Sequence, residues 1–392
     1  MKKLTKSVRP QKEDMKILLA PDSFKGSMTS MEIIDCLERA ARMHFNTVEI
    51  VKVPIADGGE GTVDALLALR GGAYVWVEVT GPLGEKVKAR YGIIENKTAV
   101  MEMAQASGLP LLAPCDRNPL LTTTYGTGEM IKDALDKGIR DFIIGIGGSA
   151  TNDGGIGAAQ ALGIRFMDSG RNEVGFGGRE LSRIKRIDTE NRDARIKESN
   201  IVVICDVNNP LTGDRGATLV FGPQKGATGD MLAVLEKGMK NYAEVIRAQL
   251  GMDVDRIPGS GAAGGLGAAL VCFLGAQLKP GVDTILDFAD FERLLEGVNL
   301  VITGEGRIDG QSVFGKVPVG IAKRCKKYGV KVVVIAGSMG EGAQEVYEYG
   351  IESIMTIINK DMSLDEAISR SKELLTDAAD RMFRLIKLGM GI

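Results

Sequence analysis

Residues 145–157 form the densest run of glycine and small polar residues in the chain, Gly145-Ile-Gly-Gly-Ser-Ala-Thr-Asn-Asp-Gly-Gly-Ile-Gly157. The run follows the apolar residues Phe142-Ile-Ile144, so it predicts a strand that ends in a loop rich in backbone donors. Backbone N–H groups of successive glycines can converge on one anion because no Cβ intervenes. Asp153 adds a carboxylate that could hold Mg²⁺ or accept a proton. The loop is therefore a candidate phosphate site, and a packing turn is the alternative.

A second glycine-rich loop also lies between a predicted strand and a predicted helix, Thr303-Gly-Glu-Gly-Arg-Ile-Asp-Gly-Gln-Ser-Val-Phe-Gly-Lys316. Its end approaches the P-loop pattern G-x-x-x-x-G-K, but Val317 stands where that pattern needs a hydroxyl for Mg²⁺. We therefore reject a P-loop NTPase, but we still expect the loop to bind phosphate and a metal with the same kinds of group. Backbone donors and Lys316 could bind phosphate, and Glu305 and Asp309 could bind a metal.

A third glycine-rich segment, Pro258-Gly-Ser-Gly-Ala-Ala-Gly-Gly-Leu-Gly267, matches the dinucleotide fingerprint G-x-G-x-x-G at Gly259, Gly261 and Gly264. No long apolar strand precedes the match, so NAD binding is the poorer interpretation. A loop for phosphate or for helix packing fits better. A nucleotide-cofactor-dependent oxidoreductase of a small hydroxy acid depends on this fingerprint and is kept as the alternative function.

The single histidine, His44, limits the possible mechanisms. It ends a predicted amphipathic helix, where a solvated or half-buried structural histidine is expected. A Ser-His-Asp triad and a His-ligated zinc site are therefore disfavoured, and the acid–base groups are expected to be Asp, Glu or Lys. Phosphoryl transfer suits such side chains because it requires positioning and charge neutralisation more than a strong nucleophile.

The composition disfavours several classes of partner. A formal net charge of -2 and an aromatic content of 5% provide no basic surface and few stacking platforms for nucleic acid. No apolar run approaches the ~18 residues of a membrane span. The five cysteines are far apart, which indicates reduced thiols in a cytoplasm. We expect a small-molecule substrate, no nucleic acid or membrane partner, and a monomer or homodimer.

The elements that must position these loops alternate between strand and helix at both ends of the chain, a pattern typical of a parallel sheet. Between residues 74 and 103 the pattern changes to that of a short antiparallel meander. We predict an α/β protein with a Rossmann-like parallel-sheet domain built from both chain ends and a second, mixed α/β domain inserted between them. The predicted bounds are a disordered extension over residues 1–14, the Rossmann-like domain over residues 15–75 and 290–392, and the inserted domain over residues 76–289.

Ligand sites in open α/β sheets lie beyond the carboxyl ends of the strands. Nearly every predicted strand ends there in a polar loop that contains glycine. These loops are residues 21–27, 56–62, 104–109, 145–157, 206–213 and 303–310. We expect the loops of the two domains to face each other across a cleft.

Seven ordered segments carry a family likeness. They are Pro21-Asp-Ser-Phe-Lys-Gly26, Ala56-Asp-Gly-Gly-Glu-Gly-Thr62, Glu102-Met-Ala-Gln-Ala-Ser-Gly-Leu109, Gly145-Ile-Gly-Gly-Ser-Ala-Thr-Asn-Asp-Gly-Gly155, Cys205-Asp-Val-Asn-Asn-Pro-Leu211, Phe221-Gly-Pro-Gln-Lys-Gly226 and Thr303-Gly-Glu-Gly-Arg-Ile-Asp309. Together they resemble the type I bacterial glycerate kinase family, from Met15 to about residue 385. Seven motifs in order are far more specific than any one of them.

The resemblance implies a kinase that uses ATP and Mg²⁺ to phosphorylate D-glycerate, giving 2-phosphoglycerate, in glyoxylate, glucarate or serine-linked metabolism. It also implies a Rossmann-like domain interrupted by a second α/β domain. It assigns no catalytic base, so we hypothesise that either Asp153 or Asp206 is the base or a metal ligand.

The remaining site residues are hypotheses of the same kind. Lys25 and Arg307 are expected to bind the glycerate carboxylate, and Lys316 is expected to act in phosphoryl transfer. The full substrate set is Asp22, Ser23, Lys25, Asp57, Glu60 and Arg307; the ATP set is Gly147, Gly148, Ser149, Thr151, Asn152, Gly259, Ser260, Gly261 and Gly264; and the Mg²⁺ set is Asp153, Glu305 and Asp309.

Overall fold

A computed structural model describes residues 15–390 of the chain. The predicted disordered extension, residues 1–14, lies outside the described residues. Within residues 15–390, no helix is both long enough and apolar enough to span a membrane. The chain divides into two compact units, one formed by the described parts of Met1–Ile55 and Asp290–Ile392 and the other by Ala56–Ala289.

Strands and helices alternate along most of the chain. The strands are β1 (Met15–Pro21), β2 (Val48–Lys52), β3 (Ala73–Thr80), β4 (Lys86–Ile94), β5 (Thr98–Glu102), β6 (Asp141–Gly145), β7 (Arg165–Met167), β8 (Arg186–Asp188), β9 (Asn200–Ile204), β10 (Gln277–Lys279), β11 (Leu300–Ile308), β12 (Lys331–Met339) and β13 (Ile351–Thr356). The helices are α1 (Ser30–His44), α2 (Thr62–Arg70), α3 (Ala104–Ser107), α4 (Tyr125–Asp136), α5 (Ile156–Ala161), α6 (Ala217–Phe221), α7 (Gly229–Leu250), α8 (Leu266–Leu274), α9 (Gly281–Phe288), α10 (Phe291–Leu294), α11 (Val317–Lys327), α12 (Leu364–Ser369) and α13 (Ser371–Gly389).

The first unit is built on a parallel five-stranded sheet in the order β13-β12-β11-β1-β2. Strand β1 is apolar and buried, as a strand covered on both faces of a parallel sheet must be. From β1 the chain goes to β2 at one edge of the sheet, whereas β11, β12 and β13 follow one another toward the opposite edge. The strand order therefore reverses between β1 and β11, which is where ligands bind in open α/β sheets.

Helix α1 shows how the sequence specifies a local element of this unit. Thr29 caps its first turn in a reciprocal pair with Glu32, and the apolar face of the helix is buried. At its end, His44 is half-buried and its Nε2 lies 2.8 Å from Asp380 Oδ1 on α13. The only histidine of the chain thus joins two helices, in agreement with the structural role expected for it.

The second unit is built on a six-stranded mixed sheet in the order β10-β9-β6-β5-β4-β3. Strands β3, β4 and β5 pair antiparallel, which confirms the predicted meander, and the remaining pairs are parallel. Helix α2 packs on β4 and β5, so the second unit begins at Ala56 and not near residue 76 as predicted. The predicted α/β class, with a parallel sheet formed by both chain ends, is confirmed.

Candidate active site

The second unit presents one set of candidate site residues at the edge where the parallel strands β5, β6 and β9 end. The final residues of these strands, Glu102, Gly145 and Ile204, lie side by side across the sheet. The loop of residues 145–157 leaves β6 at this edge and leads into α5. The carboxyl ends of the strands therefore present their loops to one region of the unit.

This loop has a tip, residues 147–149, in which Gly148 is exposed, Gly147 is half-buried and Ser149 is buried, and a buried root, residues 150–153. Gly148 is exposed and has a φ of +72°, a conformation that glycine adopts without strain. Within residues 15–390, the N–H groups of Gly148 and Ser149 donate no hydrogen bond. Adjacent unpaired N–H groups in such a turn can bind an anionic oxygen. This geometry favours the predicted phosphate contacts at the tip.

A second loop of the same unit packs against the tip and carries Asp57 and Glu60. The Gly147 N–H donates to the Gly58 carbonyl oxygen at 3.0 Å. A Cβ at Gly58 would clash with Ile204 at the end of β9, so glycine permits this close approach. Asp57 is half-buried and Glu60 is exposed. The structure therefore brings the loop with these two predicted substrate contacts to the tip.

Asp206 follows β9 and presents an exposed carboxylate at this edge. Its Oδ1 accepts a 2.7 Å hydrogen bond from the N–H of Gly281, the first residue of α9. A Cβ at Gly281 would lie 3.1 Å from Asp206 Oδ2 and 3.1 Å from the carbonyl carbon of Asp57. The segments that carry the two aspartates thus meet at Gly281. Asp206 is held in place and remains accessible, as a general base must be.

Asp153 has a different environment, because its side chain is 0% exposed in the root. Oδ2 accepts hydrogen bonds from the N–H and the hydroxyl of Thr124, both at 2.8 Å, and from the Gly157 N–H at 3.4 Å. Oδ1 accepts from the Gly155 N–H at 3.0 Å. Burial raises the pKa of the Asp153 carboxyl, and these hydrogen bonds oppose the rise. The geometry argues against Asp153 as a catalytic base or metal ligand and for a role in holding the loop.

Several predicted ATP contacts lie in the interior of the second unit. A Cβ at Gly261 would clash with the Pro210 carbonyl oxygen, and one at Gly264 would clash with that of Thr151. These glycines allow close backbone packing, so the G-x-G-x-x-G match lacks the accessible loop of a dinucleotide site. The oxidoreductase alternative loses its support. The predicted ATP contacts that are buried are Ser149, Thr151, Asn152, Gly259, Ser260, Gly261 and Gly264.

Sequence reasoning assigned no role to two buried charged side chains of this unit. Glu102, at the end of β5, is 4% exposed and accepts the Val63 N–H at 2.9 Å, which ties α2 to the sheet. Burial raises the pKa of its carboxyl. Lys225 is 1% exposed and donates to the Thr151 carbonyl oxygen at 2.6 Å. Both residues lie in the motifs that carry the family likeness, and that placement was the only sequence signal for them.

The first unit presents the other set of candidate residues, at the reversal of strand order between β1 and β11. The N–H of Asp22 donates to the Gly304 carbonyl oxygen at 2.9 Å, and its carboxylate accepts the Ser23 N–H at 2.7 Å. Lys25 is exposed in the same loop, and a Cβ at Gly306 would lie 3.9 Å from the backbone nitrogen of Lys25. The loops after β1 and β11 are therefore neighbours, as their predicted roles require.

The loop after β11 brings two cations and two carboxylates together. Lys316 Nζ donates to the Arg307 carbonyl oxygen at 3.1 Å and lies 3.6 Å from Glu305 Oε1. The exposed Arg307 side chain donates from Nε to Asp309 Oδ2 at 3.1 Å. Lys316 also stands immediately before α11, whose amino end favours anions. The predicted Lys316, Arg307, Glu305 and Asp309 thus belong to one charged group.

The side chains that could act as metal ligands determine whether the candidate site can bind Mg²⁺. Among residues 15–390, no three or more His, Cys, Asp or Glu side chains converge as a protein-only cation site. Mg²⁺ in phosphoryl-transfer sites takes one or two carboxylates and completes its shell with phosphate and water. Glu305 and Asp309 fit that requirement. Asp153 does not, because its oxygens are occupied by four protein donors.

Comparison with known proteins identifies the family. The sequence model of the glycerate kinase family matches residues 17–387. The chain is 48% identical over 377 residues to the glycerate 2-kinase of Escherichia coli strain K12, covering 96% of this chain and 99% of that protein. It is 48% identical over 375 residues to the glycerate kinase of Bacillus subtilis strain 168, covering 95% of this chain and 98% of that protein.

The fold agrees with this likeness. A solved structure from Salmonella typhimurium LT2, named there as a glycerate kinase 2, superposes with a TM-score of 0.86 and 44% sequence identity. The alignment covers 96% of this chain and 100% of that one. Sequence and structure therefore agree over nearly the whole length, and the chain belongs to the glycerate kinase family.

Proposed function

We propose that this protein transfers the γ-phosphoryl group of ATP to the 2-hydroxyl of D-glycerate, giving 2-phosphoglycerate and ADP with Mg²⁺ as the metal ion. The observation that carries the proposal is the 48% identity, over nearly the full length of both chains, to a protein named glycerate 2-kinase. We place the reaction in the cytoplasm, because all five cysteines are free thiols. The oligomeric state, monomer or homodimer, stays a prediction.

Asp206 is the proposed general base. Phosphoryl transfer to an alcohol needs a group that orients the hydroxyl and accepts its proton as the new P–O bond forms. Asp206 offers an exposed carboxylate whose Oδ1 is fixed by the Gly281 N–H at 2.7 Å. We assign its Oδ2 as the oxygen that accepts the proton of the substrate hydroxyl. Asp57 lies in the adjoining loop and is proposed to help position the acceptor.

The phosphate groups are assigned to backbone N–H donors and lysines. The unpaired N–H groups of Gly148 and Ser149 suit an anionic oxygen. Lys25 and Lys316 lie at the reversal of strand order in the first unit, the usual ligand position of such a sheet. Arg307 is proposed to bind the glycerate carboxylate, since a planar guanidinium matches a carboxylate in two hydrogen bonds.

Mg²⁺ is assigned to Glu305 and Asp309. When bound, the ion neutralises charge on the phosphate oxygens and orients the transferring group. These carboxylates stand beside Lys316 and Arg307, so a change in either acid also changes how the two cations are held.

The test is a coupled assay of ADP release with Mg·ATP and purified full-length protein. The proposal predicts turnover that requires D-glycerate and falls to background with L-glycerate, lactate or no acceptor. Absence of D-glycerate-dependent ADP release between pH 6 and 9 would overturn the proposed function. Omission of Mg²⁺, with EDTA present, is expected to abolish the same signal.

A further inference from the structure

Lys225 is a buried lysine to which the proposed reaction assigns no role. It closes the turn Pro223–Lys225 between α6 and α7, and its side chain is 1% exposed. Its ammonium donates one hydrogen bond, to the Thr151 carbonyl oxygen at 2.6 Å. That oxygen belongs to the root of the loop whose tip carries the unpaired N–H groups of Gly148 and Ser149.

Burial of this ammonium is unfavourable unless something offsets it. Desolvation lowers the pKa of Lys225 to about 7, and the nearby charge of Asp153 opposes that shift. Packing alone does not require a lysine here, because methionine fills a similar volume without a charge. The hydrogen bond to Thr151 is therefore the interaction that distinguishes Lys225 from an apolar residue at this position.

Other hydrogen bonds hold the residues before Thr151. The Ala150 N–H donates to the Ser107 carbonyl oxygen at 2.9 Å, and the Ala150 carbonyl oxygen accepts from Thr122 Oγ1 at 2.9 Å. Asn152 Nδ2 donates to Thr218 Oγ1 at 3.0 Å, and the Asp153 carboxylate binds the turn that follows. Thr151 Oγ1 and Asn152 Oδ1 are buried and have no hydrogen-bond partner among the described residues. The Thr151 carbonyl is thus fixed by Lys225, whereas Thr151 Oγ1 and Asn152 Oδ1 beside it are not fixed by hydrogen bonds among the described residues.

We propose that Lys225 is a positioning residue: it holds the Thr151 carbonyl, and through it the tip, so that the N–H groups of Gly148 and Ser149 are aimed at a phosphate group of the nucleotide. The identity of the ligand as ATP rests on the proposed function. The structural part of the proposal does not, because it concerns which backbone donors bind phosphate.

The kinetic test compares Lys225→Met, Lys225→Arg and Lys240→Met. Lys225→Met keeps an unbranched side chain, shorter by one atom, and removes the donor. We expect KM for ATP to rise and kcat/KM for ATP to fall by about 10²-fold, the usual cost of a small misplacement, with KM for D-glycerate unchanged. Lys225→Arg restores a donor and is expected to recover most of the loss. Lys240→Met, on the exposed face of α7, is the control with wild-type kinetics.

A purely structural lysine would lower the amount of active protein and leave both KM values unchanged. A folded Lys225→Met protein with wild-type KM and kcat/KM for ATP would therefore overturn the proposal. So would a rise in KM for D-glycerate alone, because that would separate Lys225 from the phosphate-binding tip.

Amide hydrogen exchange on the wild-type protein tests the phosphate-binding part of the proposal even if Lys225→Met fails to fold. The proposal predicts that Mg·ADP slows exchange in peptides that cover residues 147–152. Unchanged exchange there at saturating Mg·ADP would overturn it. Nucleotide protection of these peptides without D-glycerate-dependent turnover would support phosphate binding at the tip and reject only the proposed function.

Discussion

Asp153 and Asp206 carry the same carboxylate in environments that give it different chemistry. Asp153 is 0% exposed and accepts four hydrogen bonds from its own and a neighbouring segment. Asp206 is exposed, and its Oδ1 accepts the N–H of Gly281 at the amino end of α9. A carboxylate whose lone pairs are occupied organises a loop, whereas one with an accessible oxygen can take a proton.

Replacement of each aspartate by asparagine separates these roles. Asp206→Asn can still accept the Gly281 N–H, so we expect a free energy of unfolding close to wild type and a kcat lower by at least ~10²-fold, a typical general-base contribution. Assay of kcat together with urea denaturation checks both parts. Near-normal turnover would remove Asp206 from the role of base.

In Asp153→Asn, the side-chain N–H₂ would face backbone N–H groups and the Thr124 hydroxyl, which are themselves hydrogen-bond donors. We expect a loss of about 1–3 kcal/mol in the free energy of unfolding, the cost of leaving buried donors unpaired. Urea denaturation measures this loss, with Asp206→Asn as the matched control. Wild-type stability in Asp153→Asn, combined with loss of kcat, would restore Asp153 as the catalytic candidate.

At the scale of elements, glycine loops of similar composition serve different purposes. At the tip, Gly148 is exposed and the N–H groups of Gly148 and Ser149 donate no hydrogen bond among residues 15–390, whereas Gly261 and Gly264 let neighbouring carbonyls approach closely. The sequence indicates that each loop is glycine-rich, but its pattern does not say which segment packs against it. Two of the four donors to Asp153 come from Thr124, far away in sequence, and no local spacing relates these two residues.

Gly261→Ala tests the packing role of the buried loop. Its Cβ would meet the Pro210 carbonyl oxygen, so we expect a loss of about 1–3 kcal/mol in stability, as for other overpacked interiors. Gly229→Ala is the control, because a Cβ there has open space in the first turn of α7. Urea denaturation of both variants checks the difference. Equal stability of the two, with a raised KM for ATP in Gly261→Ala, would return this loop to the nucleotide site.

At the scale of the whole molecule, alternating strand and helix patterns predicted the α/β class and the parallel sheet shared by both chain ends. They placed the first domain boundary near residue 75, whereas the second unit begins at Ala56. The apolar face of α2 predicts that the helix packs on a sheet, but not which one. That choice follows from contacts such as the Glu102 carboxylate on the Val63 N–H, which only the folded chain brings together.

The buried Lys225 makes the stability of the second unit depend on pH. Burial lowers its pKa from 10.5 to about 7 in the folded protein. Between these values the unfolded chain holds the proton and the folded chain does not, so stability rises with pH, by up to about 1.4 kcal/mol per unit for one proton. Lys225→Met removes this contribution. The difference in free energy of unfolding, wild type minus Lys225→Met, is therefore expected to grow from pH 7 to pH 10.

Trp76 is the only tryptophan of the chain and lies on β3 of the second unit, so its fluorescence follows the unfolding of that unit. Urea titrations at several pH values in this range measure the difference directly. A difference that stays constant with pH would show that Lys225 keeps its proton in the folded protein.

The identity of the phosphorylated hydroxyl tests the proposed reaction most directly. D-glycerate incubated with the protein and Mg·ATP is followed by ³¹P and ¹H NMR. The proposal predicts a product in which the phosphorus couples to the single proton on C2, as in 2-phosphoglycerate. Coupling to the two protons on C3, or ATP consumption without a new phosphate ester, would contradict it.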